Sequence, residues 1–374
     1  MDVALRHYPD RRYCIAGIPV DALCLEDACD AIHDAAAGGG SFTLSTPNLN
    51  FLRTALADQS FRESLLTSEL CLVDGMPLLW LARLLGIPVP ERVAGSTLFE
   101  RLQHDVRPLK VFFFGGPEGA AKHACDSLEH CNGLECAGSS SPGIGTVDQL
   151  SRRELLDQIN DSDADFLILA LGAAKGQAWI LQNRARLNIP VVSHLGAVVN
   201  FAAGTVRRAP QWMQRVGLEW LWRIREEPSL WRRYFHDAVA LFRVTVLRVL
   251  PYRLWLTRNK DHATEALSAA IDCRGQDLEV RLQGSCSEQY RATFAEVTEA
   301  ASSVAGEVRL DMGSVSYLDP AGLGLLLSLE GLAKRRERML RVTQVAPGLR
   351  RVFRWNAMDH LLIDSVSQPS GCAA

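Results

Sequence analysis

Asp74 is the residue of this sequence best placed to do chemistry. It follows the apolar run at 70–73 and precedes Gly75, with Pro77 just inside the next helical stretch. A carboxylate at a strand end stands in the crevice where open α/β sheets hold ligands, and there it can act as a general base. The same position suits a helix N-cap, because Asp accepts backbone N–H bonds at a helix start, and the residues alone leave both readings open. Thr46 and Asn48 follow a second strand, FTLS. Their compact hydrogen-bonding side chains can orient sugar hydroxyls or stabilise an ordinary turn. The run FFFGGPEGA from Phe112 is a strand, a glycine turn at Gly115 and Gly116, and a helix start. That local form lets backbone N–H groups approach a phosphate or diphosphate. A further loop, GAAKGQ, holds Gly172, Lys175 and Gln177 after another strand-like run.

Several chemistries lose their main support. There is no GxGxxG fingerprint with an acidic residue at the ribose offset, which disfavours a dinucleotide-dependent oxidoreductase, and neither GxxxxGK[ST] nor HExxH occurs. The ten cysteines form no CxxC pair and are read as reduced thiols, with a metal site on Cys125, Cys131 and Cys136 as the alternative.

The elements that must position these residues are those of an α/β protein. At 374 residues, two domains are expected, and 48% hydrophobic with 22% charged residues is the composition of a soluble globular chain. Short apolar runs alternate with amphipathic stretches up to residue 205, giving strands at 13–19, 41–46, 70–73, 109–114, 133–137, 164–171 and 190–195. This is the pattern of a Rossmann-like domain (1–205) with a mainly parallel sheet. Residues 206–256 break it, with five of the eight Trp interleaved with Arg, and residues 207–258 carry eleven Arg against four acids in a chain of net charge −3. From Leu230 a broad apolar helical face is interrupted by Arg232, Arg233, Arg243 and Arg248, too many charges for a spanning helix. A basic amphipathic helix with interfacial aromatics suits a membrane surface, or packing on its own domain or a twin subunit. Residues 257–277 read as a linker. Residues 278–374 follow as a small β-α-β-α-β-α domain. The N-terminus lacks the apolar run of a signal peptide, so the expected place is the cytoplasm.

Together, TPNLNFLRTA (46–55), LCLVDGMPLLWLARLLG (70–86), PERVAGSTLFE (90–100), FFFGGPEGAA (112–121), LILALGAAKGQAWILQNR (167–184) and NFAAGTVRRAPQWMQRVGLEWLWRIREEP (200–228) resemble the WecG/TagA/CpsF glycosyltransferases. The resemblance implies inverting, metal-independent transfer, with no cofactor, of a hexose, N-acetylhexosamine or its uronate. The donor would be a UDP-sugar and the acceptor a polyprenyl-diphosphate-linked saccharide, in bacterial polysaccharide synthesis at the inner face of the cytoplasmic membrane. It makes Asp74 the base and sets Thr46 and Asn48 beside the sugar pocket. It matches Arg92 to the arginine of the ERVxG segment, and carries Arg223, Arg232 and Arg233 to diphosphate and membrane. A homo-oligomer follows from the likeness, and no nucleic-acid partner is expected. The sequence departs from the family at GAAKGQ, where GAPKQE is usual, so that Gly176 stands for a glutamine and Gln177 for a glutamate. Leu49, Asn50 and Asn200 depart likewise. The alternative is a catalytically weak sugar-nucleotide or lipid binder acting through its C-terminal domain.

That domain resembles STAS domains through VRLDMGSVSYLDPAGLGLLLSLEGLAKRRERMLRV (308–342). The phosphorylatable position of STAS switches falls on Ala321, which excludes a phosphoswitch at that residue and leaves protein docking, small-molecule binding or a purely packed appendage.

Overall fold

The computed structural model describes residues 11–196, 198, 199, 210, 213, 218–226 and 228–362. The chain divides into two units, one of residues 20–83 and 88–242, the other of residues 9–19, 84–87 and 243–374. Asn200 lies outside the described residues.

The first strands, β1 (Arg12–Ile15) and β2 (Ile18–Asp21), form a two-stranded sheet of their own. A single strand over 13–19 is therefore corrected. The run breaks at Ala16 and Gly17, whose φ of 48° and 96° make the tight reversal of a hairpin.

In the first unit, β3 (Phe42–Ser45), β4 (Leu70–Cys71), β5 (Leu109–Gly115), β6 (Leu134–Ser140), β7 (Phe166–Ala170) and β8 (Val191–His194) build one sheet. Their order is β4-β3-β8-β7-β5-β6, with all pairs parallel. Successive side chains of a strand point to opposite faces, and both faces here are buried. Val111, Phe113, Phe166 and Ile168 enter the core beneath the helices Leu25–Gly38, Gly95–Gln103 and Ala120–Asp126. Phe112, Phe114, Leu167 and Leu169 enter the opposite core with Trp179 of the helix Ala173–Asn183. This explains the near-continuous apolar text of β5 and β7, and leaves the loops after β3, β4, β7 and β8 at one carboxyl edge.

The second unit contains β9 (Ser268–Arg274), β10 (Asp277–Cys286), β11 (Val308–Leu318) and β12 (Leu340–Val345), in the order β12-β11-β10-β9. β9 runs antiparallel to β10, and the remaining pairs are parallel. The linker expected at 257–277 is thus corrected, since it supplies an edge strand. Most of β9 is exposed, so it carries none of the apolar alternation that marks a strand in sequence.

The helix Pro320–Arg335 is buried over most of its length, which accounts for its apolar text on all sides. Asp319 caps it, its carboxylate accepting from the N–H groups of Ala321 and Gly322 at 2.8 Å and of Glu288 at 2.9 Å. A Cβ on Gly324 would run into the backbone carbonyl of Arg12, so glycine lets β1 lie against this helix.

Cys125 and Cys136 are joined as a disulfide with Cα atoms 5.3 Å apart, which corrects the all-thiol expectation and takes both out of a Cys125–Cys131–Cys136 ligand set. Among the described residues no helix is long and apolar enough to cross a membrane.

Candidate active site

Two loops of the carboxyl edge are tied together at Asp74. Its backbone N–H donates to the Pro47 carbonyl at 2.8 Å, which holds the loop after β4 against the loop after β3. Gly75 turns the chain with φ of 106°, in the region that favours glycine, and lies against the Asn48 side chain. The Val93 N–H donates to the Val73 carbonyl at 3.0 Å and so brings Arg92 to the same edge.

The Asp74 side chain is partly buried, and no hydrogen bond to its carboxylate is found among the described residues. The helix-capping reading therefore does not describe it. Burial pushes its pKa up to about 6. Arg92 opposes the rise, Glu219 adds to it, and Arg223 opposes it. A carboxyl poised near neutrality in a sheet-end crevice can accept a proton from a bound hydroxyl.

Arg92 is held by Glu219, Nη1 to Oε1 at 2.6 Å, with both side chains mostly out of solvent. Glu219 opens the helix Glu219–Glu226, which also carries Arg223. The basic segment thus delivers an acid and an arginine to Asp74. Sequence reasoning missed Glu219, because it stands among arginines and registers there only as a reduction of their charge.

Thr46 is buried beside Gly95. Asn48 caps the helix Leu49–Ala57, its Oδ1 accepting from the Phe51 N–H at 3.1 Å, so one of its polar atoms serves the turn. Arg232 and Arg233 lie exposed on the helix Trp231–Val244 and are not among the charges acting on Asp74. Arg232 sits 5.7 Å from the centre of the Trp231 ring, and Arg233 is 3.9 Å from Asp237.

Three of the expected substrate-binding groups have partners within the fold. The Gly115 and Gly116 turn, φ of 97° and 85°, serves packing. The Gly116 N–H donates to the Ala170 carbonyl at 2.8 Å, and a Cβ on Gly115 would meet Ala170 and Leu171. The helix that follows, Ala120–Asp126, has seven residues. Gln177 is fully buried and donates through Nε2 to Ser45 Oγ at 3.2 Å, so a substrate contact gives way to a bond between helix and β3. Lys175 Nζ donates to the Gly145 carbonyl at 2.7 Å and is a tether. Gly172 remains exposed at the edge, with φ of 80° and open space where its Cβ would stand.

A parallel α/β sheet with a perturbed carboxyl among arginines at its carboxyl edge has the layout of an enzyme crevice. Residues 13–254 match the model of the glycosyl transferase WecG/TagA/CpsF family, and residues 269–364 match an Mlab-type STAS domain. The chain belongs to the WecG/TagA/CpsF family and is a glycosyltransferase. Among its relatives is an N-acetylglucosaminyldiphosphoundecaprenol N-acetyl-β-D-mannosaminyltransferase of Bacillus spizizenii (strain ATCC 23059 / NRRL B-14472 / W23), 31% identical over 202 residues, which are 52% of this chain and 74% of the relative. The enzyme of the same name from Bacillus subtilis (strain 168) is 27% identical over 209 residues, 55% of this chain and 78% of its own. A solved structure of the anti-sigma factor antagonist SpoIIAA in its unphosphorylated form aligns with 27% of this chain and 90% of its own, at TM-score 0.24 and 18% identity.

Proposed function

We propose that this enzyme moves an N-acetylhexosamine or a related sugar from a UDP-sugar to a polyprenyl-diphosphate-linked saccharide, with inversion and with Asp74 as general base. The observation that carries the reading is the Asp74 carboxyl, raised to about 6 by burial and flanked by Arg92 and Arg223. In this mechanism Asp74 takes the proton of the acceptor hydroxyl. The freed oxygen then attacks the anomeric carbon from the face opposite UDP, and the C–O bond to UDP breaks. The diphosphate gains charge as it leaves, and preorganised arginines stabilise such charge best in a water-poor site. Arg92 and Arg223 take that part at the edge, and the reading requires no metal.

The acceptor class is supported by the names of the two relatives, both of which refer to a diphosphoundecaprenol-linked sugar. It is supported also by the helix Trp231–Val244, where Trp231, Phe235, Val239 and Phe242 stand exposed at helical spacing beside Arg232 and Arg233. Aromatic and aliphatic side chains flanked by arginine suit a lipid surface with anionic headgroups.

The test is purified protein with UDP-N-acetylhexosamines and a short-chain N-acetylglucosaminyl-diphospho-polyprenol. UDP release that depends on the acceptor, and its loss in Asp74→Asn, is the expected result. No release with any donor, or full activity in Asp74→Asn, overturns the reading. The first outcome would favour a binder acting through the STAS domain.

A further inference from the structure

Asp74 leaves the sheet from its shortest strand. β4 holds only Leu70 and Cys71, and it ends the strand order with β3 on one side of it. Successive backbone groups of a strand point to opposite sides, so the Leu72 N–H reaches the Ser45 carbonyl at 2.9 Å while the Cys71 N–H points away from β3. Cys71 is fully buried, and an N–H left unpaired there would be costly. Its partner is Asp21, whose Oδ2 accepts it at 2.6 Å across the outer edge of the strand. Asp21 also forms a parallel bridge to Leu72.

Asp21 closes β2, all of whose residues are buried. A carboxyl in that place departs from the apolar pattern of a buried strand, and such departures concentrate where function needs them. The chain then turns, with the Leu23 N–H on the Asp21 carbonyl at 3.0 Å. At the start of the helix Leu25–Gly38 the Leu25 N–H donates to Glu91 Oε1 at 2.8 Å, and Glu91 is the chain neighbour of Arg92. Residues 21–25 therefore hold both the strand that leads to Asp74 and the loop that carries Arg92.

We propose that Asp21 is a positioning residue for the transfer reaction, acting through the Cys71 N–H to fix the Asp74 carboxyl in the crevice. Asp21 touches no reacting atom. Two residues of β4 paired on one side only are a poor support for a base, and a misplacement of about 1 Å at a reacting group costs on the order of 100-fold in rate. The assignment rests on the reading of Asp74 as general base.

Steady-state kinetics of the full chain test it, with UDP-N-acetylhexosamines and a short-chain N-acetylglucosaminyl-diphospho-polyprenol across a range of pH. Asp21→Ala should lower kcat by roughly 10-fold to 100-fold with little change in the donor KM. The acid limb of its kcat/KM should move downward, because a loosened β4 lets water reach Asp74 and relieves the burial that raises its pKa. Asp21→Asn keeps an oxygen for the Cys71 N–H and should recover most of the turnover and the position of the limb. Asp21→Glu keeps the carboxyl but displaces it by one methylene, and should behave as Asp21→Ala does. Melting curves accompany each variant. A folded Asp21→Ala with the wild-type kcat and pH profile overturns the proposal, and where that variant does not fold the same result in Asp21→Glu does so. A loss of kcat that leaves the acid limb in place overturns it too, since a merely structural role would give that pattern. Full turnover in Asp74→Asn overturns instead the general-base reading beneath it.

Discussion

Replacing Asp74 by Asn is expected to make the protein more stable while removing its activity. The folded carboxyl titrates near 6 against an ordinary value of 3.8, a rise of roughly two units at about 1.4 kcal/mol each. For an acid the sign is unfavourable to the native state. Above pH 6 the folded protein holds a charged carboxylate in a poorly solvated place, at a cost of roughly 3 kcal/mol at most. As pH falls from 6 towards 4, the folded form takes up the proton first and the cost disappears. Asn carries no such charge. Thermal melts of the ligand-free protein should show Asp74→Asn several degrees above wild type at pH 8, with the gap closing between pH 6 and pH 4. Turnover should fall about 100-fold to 10,000-fold, the range for loss of a general base. A variant no more stable than wild type at pH 8, or one whose advantage does not change with pH, would refute the account of Asp74 as a desolvated base.

The same charges should move the pH profile. Loss of the Arg92 charge in Arg92→Met should carry the acid limb of kcat/KM upward by about one unit, while Glu219→Gln should carry it downward, each read from initial rates between pH 5 and pH 9. Phe235→Glu combined with Phe242→Glu should release the protein from anionic vesicles in a sedimentation assay, since both rings stand 60% or more exposed on the helix Trp231–Val244. Unchanged sedimentation would remove that helix from the membrane. Gly324→Ala forces a methyl group onto the Arg12 carbonyl and should cost about 1–3 kcal/mol in denaturant unfolding of the full chain.

The six-stranded sheet was legible because two-sided burial writes each central strand as an apolar run, and Phe112, Phe113 and Phe114 are the plainest case. Edge elements were not. β9 exposes most of its residues and reads as polar linker, and the break in the first apolar run depends on two positive φ angles at Ala16 and Gly17. At the site, Asp74 and Arg92 stood out by position and by likeness to a family. Gln177 misled, because a polar side chain satisfied inside the core looks in sequence like one waiting for substrate. Glu219 and Asp21 were invisible for a different reason. The pairing of Glu219 with Arg92, and that of Asp21 with the Cys71 N–H, arise only between residues that are remote in the chain.

The position of β1 against the helix Pro320–Arg335 bears on the order in which the chain can fold as it is made. Residues 11–19 leave the ribosome early, yet the glycine that receives the Arg12 backbone is synthesised roughly 300 residues later, on the order of half a minute at ~5–20 residues per second. Until then an apolar strand waits without the surface it will cover, while the six-stranded sheet can already form. Cutting the gene at the apparent linker would leave it waiting permanently. A deletion of residues 278–374 therefore removes a domain and also strands the beginning of the chain.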